Sequence, residues 1–226
     1  IELPETGVLT IFIEFSGRIT DNMTGIYPSY YTYNGEKKEI ISTQFESHFA
    51  REAFPCVDEP EAKATFDLSL KFDAEEGDTA LSNMPEINSH LREETGVWTF
   101  ETTPRMSTYL LAFGFGALHG KTAKTKNGTE VGVFATVAQA ENSFDFALDI
   151  AVRVIEFYED YFQVKYPIPL SYHLALPDFS AGAMENWGLV TYREVYLLVD
   201  ENSSAASRQQ VALVVAHELA HQWFGN

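Results

Sequence analysis

The chain has 226 residues, of which 45% are hydrophobic and 14% aromatic, and its formal net charge is −18. This length and composition allow one large domain or two modest ones, each with an apolar core. The negative charge argues against nucleic acid as a partner, because such binding needs a positive surface, and against anionic membrane surfaces. It can instead attract cationic groups, of which the free N-terminus of a peptide is one.

A single cysteine, Cys56, rules out a disulfide bond within the chain. This fits a reducing compartment, so we expect a cytoplasmic location. The longest apolar run begins at Tyr109 and is far too short to cross a bilayer, so we expect no membrane partner. The sequence does not indicate an oligomeric state.

Residues 1 to about 118 have the pattern of β-strands. In KATFDLSLKF the apolar Phe66, Leu68, Leu70 and Phe72 alternate with polar residues. Such period-two alternation predicts a half-buried antiparallel strand. Two further segments have a similar pattern, namely VLTIFIEFSG (residues 8–17) and GVWTFETT (residues 96–103).

The composition changes near Gly120, where the polar segment from His119 to Thr129 contains several lysines. We expect a linker or turn here between two domains, residues 1–120 and 121–226. Beyond it, VGVFATV predicts one strand, and SYHLALPDF and GLVTYREVYLLV predict two more. A long helix is predicted before Pro167, and a second from about Ser204. The apolar stripe of the first helix consists of Phe146, Ile150, Val154, Tyr158 and Tyr161.

The predicted last helix carries the motif HELAH, with His217, Glu218 and His221. Positions four apart lie on one face of a helix, so two imidazoles can converge on one zinc ion. Glu218 can reach a water bound to that metal and take its proton. The alternative is a buried amphipathic helix with ordinary histidines. The metzincin class is excluded, because Phe224 stands where that class needs glycine.

A second motif, GAMEN, spans Gly182–Asn186. Together with HELAHQWFGN it resembles the zinc aminopeptidases of the aminopeptidase N family. A third block, STQFESHFAREAFPCVDEPEAKATF from Ser42, is similar to the family's segment just upstream of its catalytic domain. The three blocks occur in the family's order, and the resemblance covers nearly the whole chain.

The resemblance implies an α+β fold. Part of a β-rich, saddle-like N-terminal domain would be followed by the first part of a thermolysin-like α/β catalytic domain. It also implies an interior fragment, because the third zinc ligand, a glutamate, and a tyrosine that stabilises the oxyanion are expected beyond Asn226. We therefore expect residues 1–226 alone to be inactive.

The resemblance also implies a role for each site residue. His217 and His221 would bind one Zn²⁺ ion, with Glu218 as the general base. Glu185 would bind the α-ammonium of the substrate, joined by Glu46, which without the family block would be interpreted as a solvated surface acid. The implied substrate-binding residues are Gln44, Glu46, Gly182, Ala183, Met184, Glu185 and Asn186.

The predicted function is that of a zinc metallo-aminopeptidase that releases N-terminal amino acids from peptides with a free N-terminus. A thermolysin-type endopeptidase would share the zinc helix but should lack the ammonium-binding carboxylates. A non-catalytic binding module would keep the fold, although the intact HELAH motif argues against it. A lipid epoxide hydrolase branch of the same family is a further alternative, but GAMEN with Ala183 is more similar to the peptidases.

Overall fold

The computed structural model describes residues 7–226. These residues form three β-sheets, three α-helices and several short 3-10 turns. In chain order the strands are β1 (Gly25–Tyr33), β2 (Glu36–Gln44), β3 (Ser69–Lys71), β4 (Thr79–Ser82), β5 (Glu86–Ile87), β6 (Val97–Phe100), β7 (Phe113–Gly116), β8 (Leu118–Lys124), β9 (Glu130–Thr136), β10 (Leu170–Leu176), β11 (Ala183–Met184) and β12 (Leu189–Arg193). The helices are α1 (Ser89–Thr95), α2 (Asp145–Phe162) and α3 (Ala205–Ala220).

Two antiparallel sheets lie in the first half of the chain. The first sheet has the strand order β1-β2-β7-β4, and the small sheet has the order β3-β6-β5. Asn34 and Gly35 connect β1 to β2 with φ of 52° and 81°. A tight hairpin turn of this type needs positive φ at both central residues, which asparagine and glycine tolerate best.

The alternating strand predicted around residues 66–72 is confirmed. Its four apolar side chains are part-buried, whereas the three residues between them are exposed. Strand β3 pairs antiparallel with β6, which confirms the strand predicted in GVWTFETT. Only Ser69–Lys71 belong to the regular ladder, since Phe66 and Leu68 each accept a single backbone hydrogen bond from the neighbouring segment.

The strand predicted at residues 8–17 is wrong. These residues lie outside any strand, and Val8 and Phe12 are 104% and 92% exposed. A strand needs a neighbour for its N–H and C=O groups. Among residues 7–226 no strand pairs with this segment. The apolar pattern is typical of a strand, but it does not show whether another strand is available to pair with it.

The third sheet is mixed and has the order β11-β12-β10-β9-β8. Strand β10 pairs in parallel with β9 and β12, whereas β8 and β11 are antiparallel to their neighbours. Of the linker or turn predicted at residues 119–129, the turn is present, because residues 125–129 connect β8 to β9. Residues 119–124 are part of β8 and do not form a linker. The polar character of residues 119–129 has another cause: Lys121 and Lys126 form ion pairs with Asp145 and Asp160 of α2, at 2.8 and 2.6 Å.

The division of the chain into residues 1–120 and 121–226 remains a prediction. Residues 1–6 lie outside the described residues, and residue 120 falls within β8. The change from the first sheet to the third falls at Ala117, between β7 and β8.

Helix α2 lies where the sequence predicts it, but its most buried face differs from the predicted stripe. Tyr161 is 70% exposed, and the other members of the stripe are only part-buried. Small side chains let a helix approach a sheet closely, so alanines mark the buried face rather than large apolar residues. The buried residues are Ala147, Ala151, Ile155 and Glu159.

Helix α3 begins at the predicted cap. The hydroxyl of Ser204 accepts a hydrogen bond from the backbone N–H of Ser207 at 3.0 Å, which satisfies one of the free donors of the first turn. Val211, Val215 and Leu219 are buried in the core that α3 shares with α2 and the third sheet. This packing fixes the helix that carries the HELAH motif.

A second core joins the first sheet to the third. It contains Tyr27, Ile40 and Phe45 from the first sheet and its loops, together with Leu174 and Met184 from the third. The predicted α+β class is confirmed: a β-rich first half is followed by a mixed sheet with helices. No helix within residues 7–226 is long and apolar enough to span a membrane.

Candidate active site

The two histidines of HELAH lie at the C-terminal end of α3. His217 is in the last turn, and His221 caps the helix with dihedral angles that are still helical (φ −60°, ψ −24°). The four-residue spacing brings both rings to one face, and their Nε2 atoms are 3.3 Å apart. His217 is exposed and His221 is half-buried, so this face is open to a ligand.

The geometry of the two imidazoles fits a zinc ion. Two nitrogen ligands at about 2.0–2.1 Å from a tetrahedral zinc ion lie about 3.3 Å from each other, which is the separation of the two Nε2 atoms. Nδ1 of His221 lies 3.2 Å from the carbonyl oxygen of Phe224. Because a carbonyl oxygen only accepts, Nδ1 carries the hydrogen and Nε2 keeps its lone pair for a metal.

Glu218 is a buried carboxylate beside these histidines. It is 6% exposed, and its Oε2 has no hydrogen-bond partner among residues 7–226. Burial raises the pKa of Glu218 to about 8, with smaller contributions from the negative charges of Glu185 and Glu46. A cation held by the histidines would stabilise the ionised carboxylate and lower this pKa.

Glu185 follows β11, which is the edge strand of the third sheet. On one side β11 pairs with β12, and the carbonyl oxygen of Gly182 accepts a hydrogen bond from the N–H of Arg193 at 3.0 Å. On the other side no strand among residues 7–226 pairs with β11. Its backbone groups there can bind an extended peptide as an added strand.

The turn after α3 holds the Glu185 segment against the end of the helix. The side-chain amides of Gln222 and Asn226 both donate to the carbonyl oxygen of Glu185, at 3.2 and 3.0 Å. As a result, one carboxylate oxygen of Glu185, one of Glu218 and one ring nitrogen of His221 all lie within 4.8 Å of one another. These three groups are compact enough to surround one cation.

Glu46 approaches the same place from the loop after β2. The residue as a whole is exposed, and its carboxylate is close enough to Glu185 and His221 to interact with their charges. Loss of hydration and the charge of Glu185 raise the pKa of Glu46, whereas His221 lowers it. The carboxylates of Glu46, Glu185 and Glu218 are thus close enough for their negative charges to interact. This arrangement favours binding of a cationic ligand.

The other predicted substrate-binding residues differ in whether they have a hydrogen-bonding group free to bind a ligand. Gln44, at the end of β2, is 5% exposed, and its Oε1 has no hydrogen-bond partner within the described part of the chain. Met184 is fully buried in the second core. Asn186 is 1% exposed, and its amide donates to the hydroxyl of Thr191 at 3.4 Å. Gln44 therefore has a free acceptor, whereas Met184 and Asn186 hold their own segment in place.

Tyr109 is a site residue that the sequence did not reveal. It lies in the 3-10 turn Thr108–Leu110 and packs against the second core. Burial raises the pKa of Tyr109, and the charges of Glu185 and Glu46 raise it further, so its phenol lies near these two carboxylates. The surrounding run YLLAFGFGAL indicates only a buried segment, and no motif or spacing marks this residue.

Comparison with protein-family models assigns two parts of the chain. The model described as the Peptidase M1 N-terminal domain matches residues 1–110, and the model described as the Peptidase family M1 domain matches residues 146–226. The first match includes Gln44 and Glu46. The second includes GAMEN and HELAH.

Several curated aminopeptidases are similar to the whole chain. It is 63% identical over 227 residues to aminopeptidase N of Lactococcus lactis subsp. cremoris (strain MG1363), and 60% identical over 227 residues to aminopeptidase N of Lactobacillus delbrueckii subsp. lactis. It is 48% identical over 233 residues to the puromycin-sensitive aminopeptidase of Caenorhabditis elegans. Each alignment covers 100% of this chain but only 26%, 26% and 24% of the relative, so the chain spans about a quarter of their length.

Proposed function

This chain belongs to peptidase family M1, and from that premise we propose that it contributes to the active site of a zinc aminopeptidase that releases N-terminal amino acids from peptides. The observation that carries the proposal is the convergence of Glu185 and Glu46 on the face of α3 that bears the two histidines. A metal site alone would support any zinc hydrolase. Carboxylates beside it support one that recognises a cationic amine.

The metal side of the site consists of His217 and His221, which would hold the zinc ion. A third protein ligand is expected beyond Asn226, outside the described residues. Zinc, when bound, lowers the pKa of water and polarises a carbonyl group. Glu218 takes the proton from the attacking water and delivers it to the departing amine. Two observations support this role: Glu218 is buried, and one of its carboxylate oxygens lies within 4.8 Å of a ring nitrogen of His221.

The amine side of the site consists of Glu185 and Glu46. Both would bind the α-ammonium of the substrate through charge-assisted hydrogen bonds. Two carboxylates that repel each other are stabilised by a shared cation, which fits the raised pKa of Glu46. Anchoring the amine fixes the distance from the N-terminus to the reacting carbonyl, so only the first peptide bond reaches Glu218.

The substrate backbone would lie along β11. The open side of Gly182 and Ala183 would bind it as an added strand, which orients the peptide without reading its sequence. The free Oε1 of Gln44 would line the position of the first substrate residue.

Peptide products test this function directly. The full-length natural protein that carries these residues is incubated with a short free-amine peptide and with its N-acetylated form. Mass spectrometry should show stepwise loss of N-terminal residues from the first peptide only. A zinc chelator should abolish this loss, and added zinc should restore it. Internal cleavage of the acetylated peptide at a comparable rate would instead indicate an endopeptidase.

A further inference from the structure

Asn83 is a buried side chain that links two distant segments of the chain. It follows β4 and is 1% exposed. Its amide nitrogen donates to the carbonyl oxygens of Leu110 and Trp187, each at 2.7 Å. Its amide oxygen accepts from the N–H of Ala112 at 2.8 Å. Both donor hydrogens and the acceptor are therefore used, and all three partners are backbone groups.

The two segments that Asn83 joins both border the candidate site. Leu110 directly follows Tyr109, and its carbonyl oxygen shares the Asn83 amide nitrogen with that of Trp187. Trp187 stands two residues after Glu185, and both Tyr109 and Trp187 pack against the second core. A single side chain thus connects the turn that carries Tyr109 to the segment that carries Glu185.

The backbones around this link are in close contact. Gly188 has φ +80°, and a Cβ atom added there would lie 2.1 Å from the carbonyl oxygen of Asn83. Any larger residue would force the two segments apart. The contact between the segments is therefore tight on the backbone side as well as through the Asn83 amide.

We propose that Asn83 is a positioning residue for amine recognition, because its bridge from Leu110 to Trp187 fixes the position of Tyr109 relative to Glu185. This inference rests on the proposed function and adds to it a residue outside all three sequence motifs. The histidines are held by the packing of α3 itself, so loss of the bridge should weaken amine binding and leave metal binding unchanged.

The test compares two variants of the full-length natural protein. Asn83→Asp keeps the shape of the side chain but replaces the amide nitrogen, so the paired donation to Leu110 and Trp187 is lost. Ser82→Ala is the matched control. It removes a buried hydrogen bond to the carbonyl oxygen of Ala112 at 2.8 Å, on the adjacent residue, without touching the link to Trp187.

Asn83→Asp should raise KM for a free-amine aminoacyl reporter by about 10- to 100-fold, the cost of a small misplacement at a reacting site. Zinc content should be unchanged, and Ser82→Ala should keep the wild-type KM. Calorimetric titration with leucinol, which has the free amine but no amide bond to cleave, should show the same loss of affinity in Asn83→Asp without any turnover. If Asn83→Asp does not fold, Asn83→Ser removes the bridge without burying a charge.

A merely structural role for Asn83 gives a different result. The folded fraction would fall, kcat per total protein would fall with it, and KM and leucinol affinity would stay at wild-type values. That outcome in a folded Asn83 variant overturns the proposal. A wild-type protein that hydrolyses no peptide would contradict the proposed function instead, and the calorimetric comparison would still decide the role of Asn83.

Discussion

The two sides of the candidate site are constructed differently. His217, Glu218 and His221 occupy the end of one helix, where helical geometry alone places them together. Glu46 and Glu185 lie in loops of different sheets, and they meet because those sheets share the second core. The metal side is thus a local structure, whereas the carboxylate side depends on tertiary contacts between distant segments.

This difference should be visible in how each side responds to substitution. A change on α3 should remove the metal or the proton transfer while the sheets stay intact. A change at the junction of the sheets should alter amine recognition while the metal stays bound. The variants below test this separation, from the largest expected effect to the smallest.

His221→Ala should have the largest effect on the metal side. It removes one of the two imidazoles that we propose as zinc ligands. Loss of a residue that only supports a ligand lowers metal affinity by up to about 100-fold, so loss of a ligand itself should lower zinc affinity by more than that. Aminopeptidase activity should become undetectable. Zinc content per chain, measured after dialysis of the full-length protein, checks this. His90→Ala, at an exposed position on α1, is the control and should retain its zinc. Full zinc occupancy in His221→Ala would mean that the metal lies elsewhere.

Glu218→Gln should separate proton transfer from metal binding. The substitution keeps the shape of the side chain but removes the base, so kcat should fall by about 10²- to 10⁴-fold while zinc is retained. The control is Glu159→Gln. Glu159 is also a helix carboxylate with 6% exposure, but it accepts a hydrogen bond from the N–H of Tyr166 at 2.9 Å and does not face the site. Equal losses of kcat in the two variants would show that burial of a carboxylate, and not its place beside the histidines, matters.

The smallest effect concerns the third sheet, on which the carboxylate side depends. His173 on β10 is fully buried, with Nδ1 2.8 Å from the hydroxyl of Tyr192, and burial lowers the pKa of His173 to about 3. Below the ordinary histidine pKa of about 6.5, His173 is protonated in the unfolded chain but stays neutral in the folded chain. The free energy of unfolding is therefore highest above this pH and decreases as the pH falls toward 3. The slope is at most about 1.4 kcal/mol per pH unit.

Urea unfolding of the wild type and of His173→Gln at pH 7 and pH 5 isolates this contribution. The variant should be less stable at pH 7, because Tyr192 loses its partner, but it should lose less stability between the two pH values. Parallel losses in both proteins would show that His173 is protonated in the folded state.

The sequence correctly predicted that the two motif histidines share one face of a helix, because this information is local. Helical spacing places the motif histidines on one face, and Ser204 marks the start of their helix. Alternation likewise predicted the strand pattern around Leu68 and Leu70. These features depend on residues that are close along the chain, so local sequence patterns are sufficient to predict them.

The predictions failed where the outcome depends on a distant partner. The apolar residues 8–17 have no partner strand among those described. The polar residues 119–124 pair with β9, and Lys121 and Lys126 form ion pairs with acids on α2. The carboxylate side also depends on distant segments, so local sequence patterns do not predict it. Glu46 was found only through the resemblance, while Tyr109 and Asn83 carry no local signal because their roles come from backbone groups and charges far along the chain.

The most direct test of the account measures kcat/KM for a free-amine peptide and its N-acetylated form in the wild type and in Glu185→Gln. A hydrogen bond to a charged group contributes about 1.5–3 kcal/mol, so Glu185→Gln should lose about 10- to 150-fold on the free-amine peptide. Both proteins should retain zinc, and both should be equally poor on the acetylated peptide. Glu194→Gln, at a half-buried carboxylate that does not face the site, should resemble the wild type. Equal kcat/KM for the two peptides in the wild-type protein would contradict the claim that these carboxylates recognise the amine.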